Sequence, residues 1–267
     1  MVVNPHKSPK ITDRRYSILK SQPYPLLFVT LSGSHLYGFP SGDSDFDLRG
    51  VHVVPAAAAL SLQGVGRETI EGESTADGYE DELVTHDVRK YFRLLLKNNG
   101  YVLEQIFSPI VLFDSGYLGR LREIAKSCIT SNHSLHYKGF GFREWTAFVK
   151  KPTKHVKRIL YVFRVLMTGI QLMRTGVVES NILRLNEDLK LPYIHALVAQ
   201  KVGGYEKGEL AAGHTLDFYS KEYVRLQERL VDAAAKSSLP KEPSGQDDLN
   251  ELLLTLRTEG WLPKARP

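Results

Sequence analysis

The chain of 267 residues reads as an α+β protein, with a mixed strand-and-helix head and a tail built of helices. Three observations predict this class. Over roughly the first 110 residues, short apolar runs bounded by Gly, Pro and Ser alternate with segments of helical period. Beyond about residue 115 the strand period disappears, and nearly every segment repeats its apolar residues at helical spacing. A hydrophobic content of 42%, with 10% aromatic residues, is enough for ordinary cores in one large domain or two small ones. The change of period divides the chain into a first domain at 1–112 and a helical domain at 113–267.

Residues 13–20 predict an opening helix, and Pro25 then introduces Leu26-Leu27-Phe28-Val29-Thr30-Leu31, an apolar run with the length of a buried strand. Ser32-Gly33-Ser34 ends it. His35-Leu36-Tyr37-Gly38 has room for one helical turn before Phe39-Pro40-Ser41-Gly42 forces a loop, and an acidic strand follows at about 45–54. Two more strands are expected at 68–71 and 82–85, separated by a turn-rich stretch over 72–79. Val88, Tyr91-Phe92 and Leu94-Leu95 then repeat at helical spacing as far as Asn98-Asn99-Gly100. Residues 101–107 form another helix that Ser108-Pro109 stops, and the remaining helices are expected at 115–127, 133–150, 154–175, 192–202, 216–236 and 246–258.

A formal charge of +5 and a pI near 9.1 favour polyanionic partners such as RNA or nucleotide phosphates. The single cysteine, Cys128, excludes an internal disulfide, and Met1 to Lys7 lacks the apolar stretch of a secretion signal, so a cytoplasmic setting is expected. The longest apolar runs fall far short of a membrane span. Cys128, His133 and His136 lack a fourth ligand at a spacing that would close a zinc site.

The chemistry concentrates at Gly33-Ser34 and at Asp43-Ser44-Asp45-Phe46-Asp47-Leu48-Arg49-Gly50. On a strand, Asp45 and Asp47 project from one face. Two converging carboxylates are costly unless cations bind between them, and hard oxygen ligands of this kind suit Mg²⁺ that bridges substrate phosphates. A solvated turn feeding an edge strand is the plainest rival. A calcium loop fails because Leu48 stands at the sharp-turn glycine position and Val54 at the bidentate glutamate position. A P-loop fails because no Gly-Lys-Ser/Thr follows the Gly-Ser turn. What remains is a Gly-Ser turn that holds phosphates beside an acidic strand that holds the metals bridging them.

In this order, Gly33-Ser34, a helical turn and Asp45-Phe46-Asp47 resemble the signature of the polymerase β nucleotidyltransferase superfamily. The strings Gly33-Ser34-His35-Leu36-Tyr37-Gly38 and Ser44-Asp45-Phe46-Asp47-Leu48-Arg49-Gly50 resemble its branch of predicted nucleotidyltransferases that includes the RlaP and YcgL-like proteins. Downstream segments such as Leu83-Val84-Thr85-His86-Asp87 and Tyr161-Val162-Phe163-Arg164-Val165-Leu166 extend the similarity over approximately 25–205. The resemblance implies a polymerase β-like catalytic domain at 1–112 and a helical substrate- and nucleotide-binding domain at 113–267.

It also implies a reaction: transfer of a nucleoside monophosphate from an NTP to an acceptor hydroxyl with release of pyrophosphate. Asp45 and Asp47 are then expected to hold two Mg²⁺ ions, with Mn²⁺ as the alternative metal. Gly33 and Ser34 are expected at the phosphates. Glu82 is the first choice for a third carboxylate that binds metal or takes the acceptor proton, and Asp87 is the second, with a helix N-cap as its structural alternative. Arg49 is expected either to stabilise phosphate or to pair with an aspartate. Lys154, Lys157, Tyr161 and Arg164 share a helical spacing that makes a basic stripe for triphosphate or RNA, against the alternative of a solvated face, and His136 is expected at the nucleotide or the interdomain seam. The acceptor implied by kinship with RNA-repair proteins is an RNA end, with a small molecule or a protein hydroxyl as alternatives. From a different class comes a module that grips nucleotide or RNA with little or no turnover.

Overall fold

The computed structural model describes residues 13–258 apart from 63, 77–78, 206 and 212–214. Its frame is a five-stranded mixed sheet in the order β3-β4-β2-β1-β5. The strands are β1 (Leu26–Leu31), β2 (Phe46–His52), β3 (Thr69–Ala76), β4 (Tyr79–Asp87) and β5 (Val111–Asp114). β1 sits inside the sheet with all six residues buried, as an apolar run without alternation requires. β2 and β4 run parallel, and the other neighbours are antiparallel.

Helices cover both faces unequally. α1 (Asp13–Lys20) packs on β3, and its Ile18 and Leu19 close a small core with Leu26, Leu48, Leu83 and Leu112. The opposite face carries α4 (Val88–Leu96) and α5 (Gly100–Phe107), and behind them α7 (His133–Lys150), α8 (Val156–Thr175) and α11 (Leu216–Ala235). A single apolar core runs from Phe28 and Val51 in the sheet through Tyr91, Leu103 and Leu166 to Leu226. Burying surface of this extent is the main favourable term in holding the layers together. Between these, α2 (Gly33–Tyr37) and α3 (Ala56–Ala59) are short turns flanking β2, and α6 (Leu118–Lys126), α9 (Ile182–Leu189), α10 (Pro192–Val202) and α12 (Gln246–Thr258) complete the chain. α12 returns to pack on α4 and α6.

Several elements differ from the sequence expectation. The turn-rich stretch over 72–79 is mostly strand, because β3 and β4 pair antiparallel from Thr69↔His86 out to Ala76↔Tyr79, and backbone pairing overrides the weak strand preference of Gly and Glu. β5 was not expected; it is four residues long and borrows its strand character from pairing with β1. The expected boundary at 112 falls inside it. α9 was also missed, although Asn181 caps it by accepting from the backbone N–H groups of Leu183 and Arg184.

One alternation positions the site. Along β2, Val51 belongs to the large core, and the same face continues to Arg49 and Asp47 at the strand's beginning. There the apolar packing gives way to charge and a cleft opens against α7 and α8.

Candidate active site

The cleft has a volume of about 420 Å³, and its walls include Gly33, Asp47, Arg49, Tyr101, His136 and Tyr161. Gly33 begins α2 with φ of +64°, and a Cβ at this position would lie 1.9 Å from Oδ2 of Asp47. Only glycine permits that approach. The backbone N–H of Ser32 donates to the Asp47 carbonyl at 2.8 Å, which fastens the turn to the acidic strand. Ser32 and Gly33 reach the cleft wall; Ser34 is buried beneath it.

The parallel register sets Asp47 opposite Glu82. Nη2 of Arg49 donates to Oδ1 of Asp47 at 2.9 Å and to Oε2 of Glu82 at 2.6 Å, while its Nε donates to the Tyr101 hydroxyl at 2.9 Å. Burial raises the Asp47 carboxyl above its ordinary value; Arg49 and Lys157 oppose that rise, and Glu82 and Asp45 add to it. Burial alone would lower the Arg49 guanidinium, but Tyr101, Asp47 and Glu82 outweigh it and hold it above its usual range. Of the two alternatives for Arg49, carboxylate pairing is the one this structure displays.

Asp45 precedes β2, is exposed, and is close enough to act on the Asp47 titration. The loop leading to it is latched from the helical layer. Fully buried Lys201 of α10 donates to Oγ of Ser41 at 2.5 Å, and Ser41 Oγ lies 2.7 Å from Oδ1 of Asp43. Phe46 stacks on His35 with ring centres 4.1 Å apart.

Asp87 lies elsewhere. In register it faces His52, five residues along β4 from Glu82, or roughly 16 Å at strand spacing. It is fully buried, caps α4 by accepting from the Arg89 N–H at 3.0 Å, and accepts from Nη2 of Arg257 at 2.6 Å. Those bonds are a capping and anchoring role, so Asp87 is not among the residues the cleft brings together.

The basic stripe expected on α8 divides. Lys157 acts on Asp47 through its charge and Tyr161 lines the cleft. Lys154 instead caps the end of α7, its ammonium donating to the carbonyls of Phe148 and Val149 at 3.1 and 2.8 Å. Arg164 is fully buried, donates to Oε2 of Glu104 at 2.8 Å and stacks 3.7 Å from the Tyr37 ring centre. It braces α2 from below and does not reach solvent.

His136 of α7 does line the cleft, together with Phe140 and Arg143 at i+4 and i+7. Burial pushes the His136 imidazole down to about 4, with Arg143 and Arg164 adding to the shift, so the ring is neutral near pH 7. Sequence reading missed Arg143. Its signal was the same helical spacing, since Glu144 beside it turns to Arg158 of α8 and Arg143 makes no ion pair among the described residues. His133 bonds Thr130, and no cluster of three or more His, Cys, Asp or Glu that could hold a metal occurs among the described residues.

A Gly-Ser turn set beside an acidic strand, in a mixed sheet backed by helices, defines the class of polymerase β-type nucleotidyltransferases. The chain belongs to the RlaP family, the RNA repair pathway DNA polymerase beta family, whose model matches residues 8–255. The uncharacterized protein MJ0002 of Methanocaldococcus jannaschii is 31% identical over 156 residues, which are 58% of this chain and 63% of that protein. The uncharacterized protein YcgL of Bacillus subtilis is 25% identical over 261 residues, covering 94% of this chain and 97% of that one. A nucleotidyltransferase-like protein from Exiguobacterium sibiricum aligns with 92% of this chain and 79% of its own at 12% identity, with a TM-score of 0.32. No helix among the described residues is long and apolar enough to cross a membrane.

Proposed function

We propose that the protein is a Mg²⁺-dependent nucleotidyltransferase that moves a nucleoside monophosphate from an NTP to an acceptor hydroxyl, with an RNA end as the acceptor. The observation that carries the reading is the facing pair Asp47 and Glu82, spanned by one guanidinium nitrogen, at a cleft that Gly33 keeps open. The donor set fits a hard cation. Asp45, Asp47 and Glu82 offer only oxygen, and a cationic group already occupies the space between two of them. One or two protein carboxylates are a normal complement for Mg²⁺, because substrate phosphates and water supply the rest.

Asp47 and Glu82, which face each other across β2 and β4, would hold the metal, and Asp45, exposed just before β2, would join them only by closing toward the cleft. When bound, the metal neutralises triphosphate charge and lowers the pKa of the attacking hydroxyl. In the transfer itself the acceptor oxygen forms a bond to the α-phosphorus while the bond to pyrophosphate breaks. Glu82, with its side chain 46% exposed, is placed to receive the acceptor proton. Arg49, once its carboxylates are taken up, is free to offer its fork of donors to phosphate oxygens. Tyr161 and Phe140 provide aromatic walls for the base.

One observation favours the binding-module alternative: in this arrangement Arg49 already satisfies both carboxylates. Incubating the protein with Mg²⁺, each α-labelled NTP and separate pools of RNA, protein and metabolites decides between them. Label in RNA that disappears with Asp47→Asn supports the proposal. Label only in the other pools overturns the RNA acceptor, and no label in any pool with retained NTP binding favours the module.

A further inference from the structure

We infer that α4 is the docking surface for a single-stranded nucleic acid, whose end it delivers to the cleft; this inference rests on the acceptor reading proposed above. Arg89, Arg93 and Lys97 succeed one another at i, i+4 and i+8, so three cations lie about 6 Å apart along some 12 Å of helix. All three are exposed, and none is ion-paired to a carboxylate among the described residues. Two cavities follow this row. The first, of about 350 Å³ between α4 and α12, is lined by Arg89 and Arg93 together with Phe92, Leu253, Asn250 and Asp247, the last being its one carboxylate. The second, of about 480 Å³, is lined by Lys97, Asn98, Asn99, Asn132, Leu135 and His136 and contains no acid. Asn99 and His136 also line the catalytic cleft, so the second cavity opens onto it.

A row of unpaired cations that ends at aromatic side chains beside a reacting centre is the arrangement that holds a strand by its phosphates and stacks its terminal bases. His136 and Phe140 supply the stacking faces. A membrane is a poorer occupant, because the apolar face of α4, with Tyr91, Phe92 and Leu95, is buried in the core and leaves no apolar surface for a bilayer.

The test compares the wild-type chain with a triple Arg89→Ala, Arg93→Ala, Lys97→Ala variant. A charge-matched control carries Lys126→Ala, Lys221→Ala and Lys236→Ala, which are exposed lysines on other helices. Binding of fluorescent single-stranded RNA and DNA oligonucleotides is measured as a function of salt, with thermal melting to verify the fold. The expected result is a loss of at least about tenfold in affinity and a decrease of about 2 in the log–log salt slope for the α4 variant only. Equal losses in the α4 variant and the control overturn the proposal, as do unchanged binding and slope. Binding to vesicles containing anionic lipid that is lost in the α4 variant, with no binding of either oligonucleotide, also overturns it. Because the readout is equilibrium binding, it stands apart from turnover: failed NMP transfer with intact α4-dependent RNA binding refutes the enzyme reading and not the docking surface.

Discussion

Asp47 stands opposite Glu82 across the parallel β2–β4 pair, and the Arg49 guanidinium touches both carboxylates. Asp87, on the same strand as Glu82, is committed to Arg257 and to the start of α4. The two acids therefore separate in experiment. Glu82→Gln is expected to lower kcat by about a hundredfold or more while leaving the melting temperature nearly unchanged. Asp87→Asn is expected to cost about 3 kcal/mol of stability, measured by urea unfolding, because it leaves the Arg257 charge without its buried partner. The reverse pattern would exchange their roles.

Gly33→Ala should disable the site without unfolding the protein. The added methyl group would meet Oδ2 of Asp47 at 1.9 Å and must displace either that carboxylate or the turn. Activity is expected to fall at least about a hundredfold with NTP binding also weakened, as misplacing a reacting group by about 1 Å does. An alanine variant with normal kinetics would show that the turn and the carboxylate do not act together.

Arg143→Ala should raise the KM for NTP by about ten- to a hundredfold with little change in kcat, the effect expected of losing one charge-assisted contact to a phosphate. Lys154→Ala, whose ammonium is occupied by carbonyls at the end of α7, is the comparison and should leave KM unchanged. Steady-state kinetics on the two variants distinguish a cleft cation from a helix cap.

Acid should destabilise the protein in a defined window. His52 and His133 are fully buried, and burial pushes both imidazoles from 6.5 down to about 4. The unfolded chain therefore binds more protons between those values, so the stability that depends on keeping these rings neutral is complete above pH 6.5 and is lost as pH falls toward 4. At 1.36 kcal/mol per pKa unit each ring contributes about 3 kcal/mol across that span. His86 and His136 are pushed down to about 4 in the same way, so urea melts from pH 7 to 4 should show the summed slope, and His133→Asn should flatten it by about a quarter.

The parts legible in the sequence were those encoded locally. β1 announced itself as an apolar run with a proline before it, α2 as a glycine-bounded turn, and the aspartates as an unusual density of charge where β2 begins, Asp47 on the strand and Asp45 just before it. β5 was hidden because four residues carry no periodicity, and its strand character comes from β1, more than eighty residues earlier in its pairing of Phe28 with Asp114. Lys154 and Arg164 shared a helical stripe on paper. Their fates were decided by neighbours remote in sequence, the end of α7 for one and Glu104 for the other. Arg143 was passed over because nothing local beyond helical spacing marks it, and only the tertiary arrangement brings its turn of α7 to the cleft wall.

The bond between Asp87 and Arg257 joins residues 170 positions apart. During synthesis the strand bearing Glu82 is made well before the guanidinium that neutralises the buried carboxylate at its end, so the two can meet only after α12 has emerged. A nascent chain stopped before α12 would carry the Gly-Ser turn and both facing acids, yet lack the clasp at the far end of β4. The strand that carries Glu82 is thus secured at its far end by a helix remote in sequence, which couples the setting of the cleft to the completion of α12.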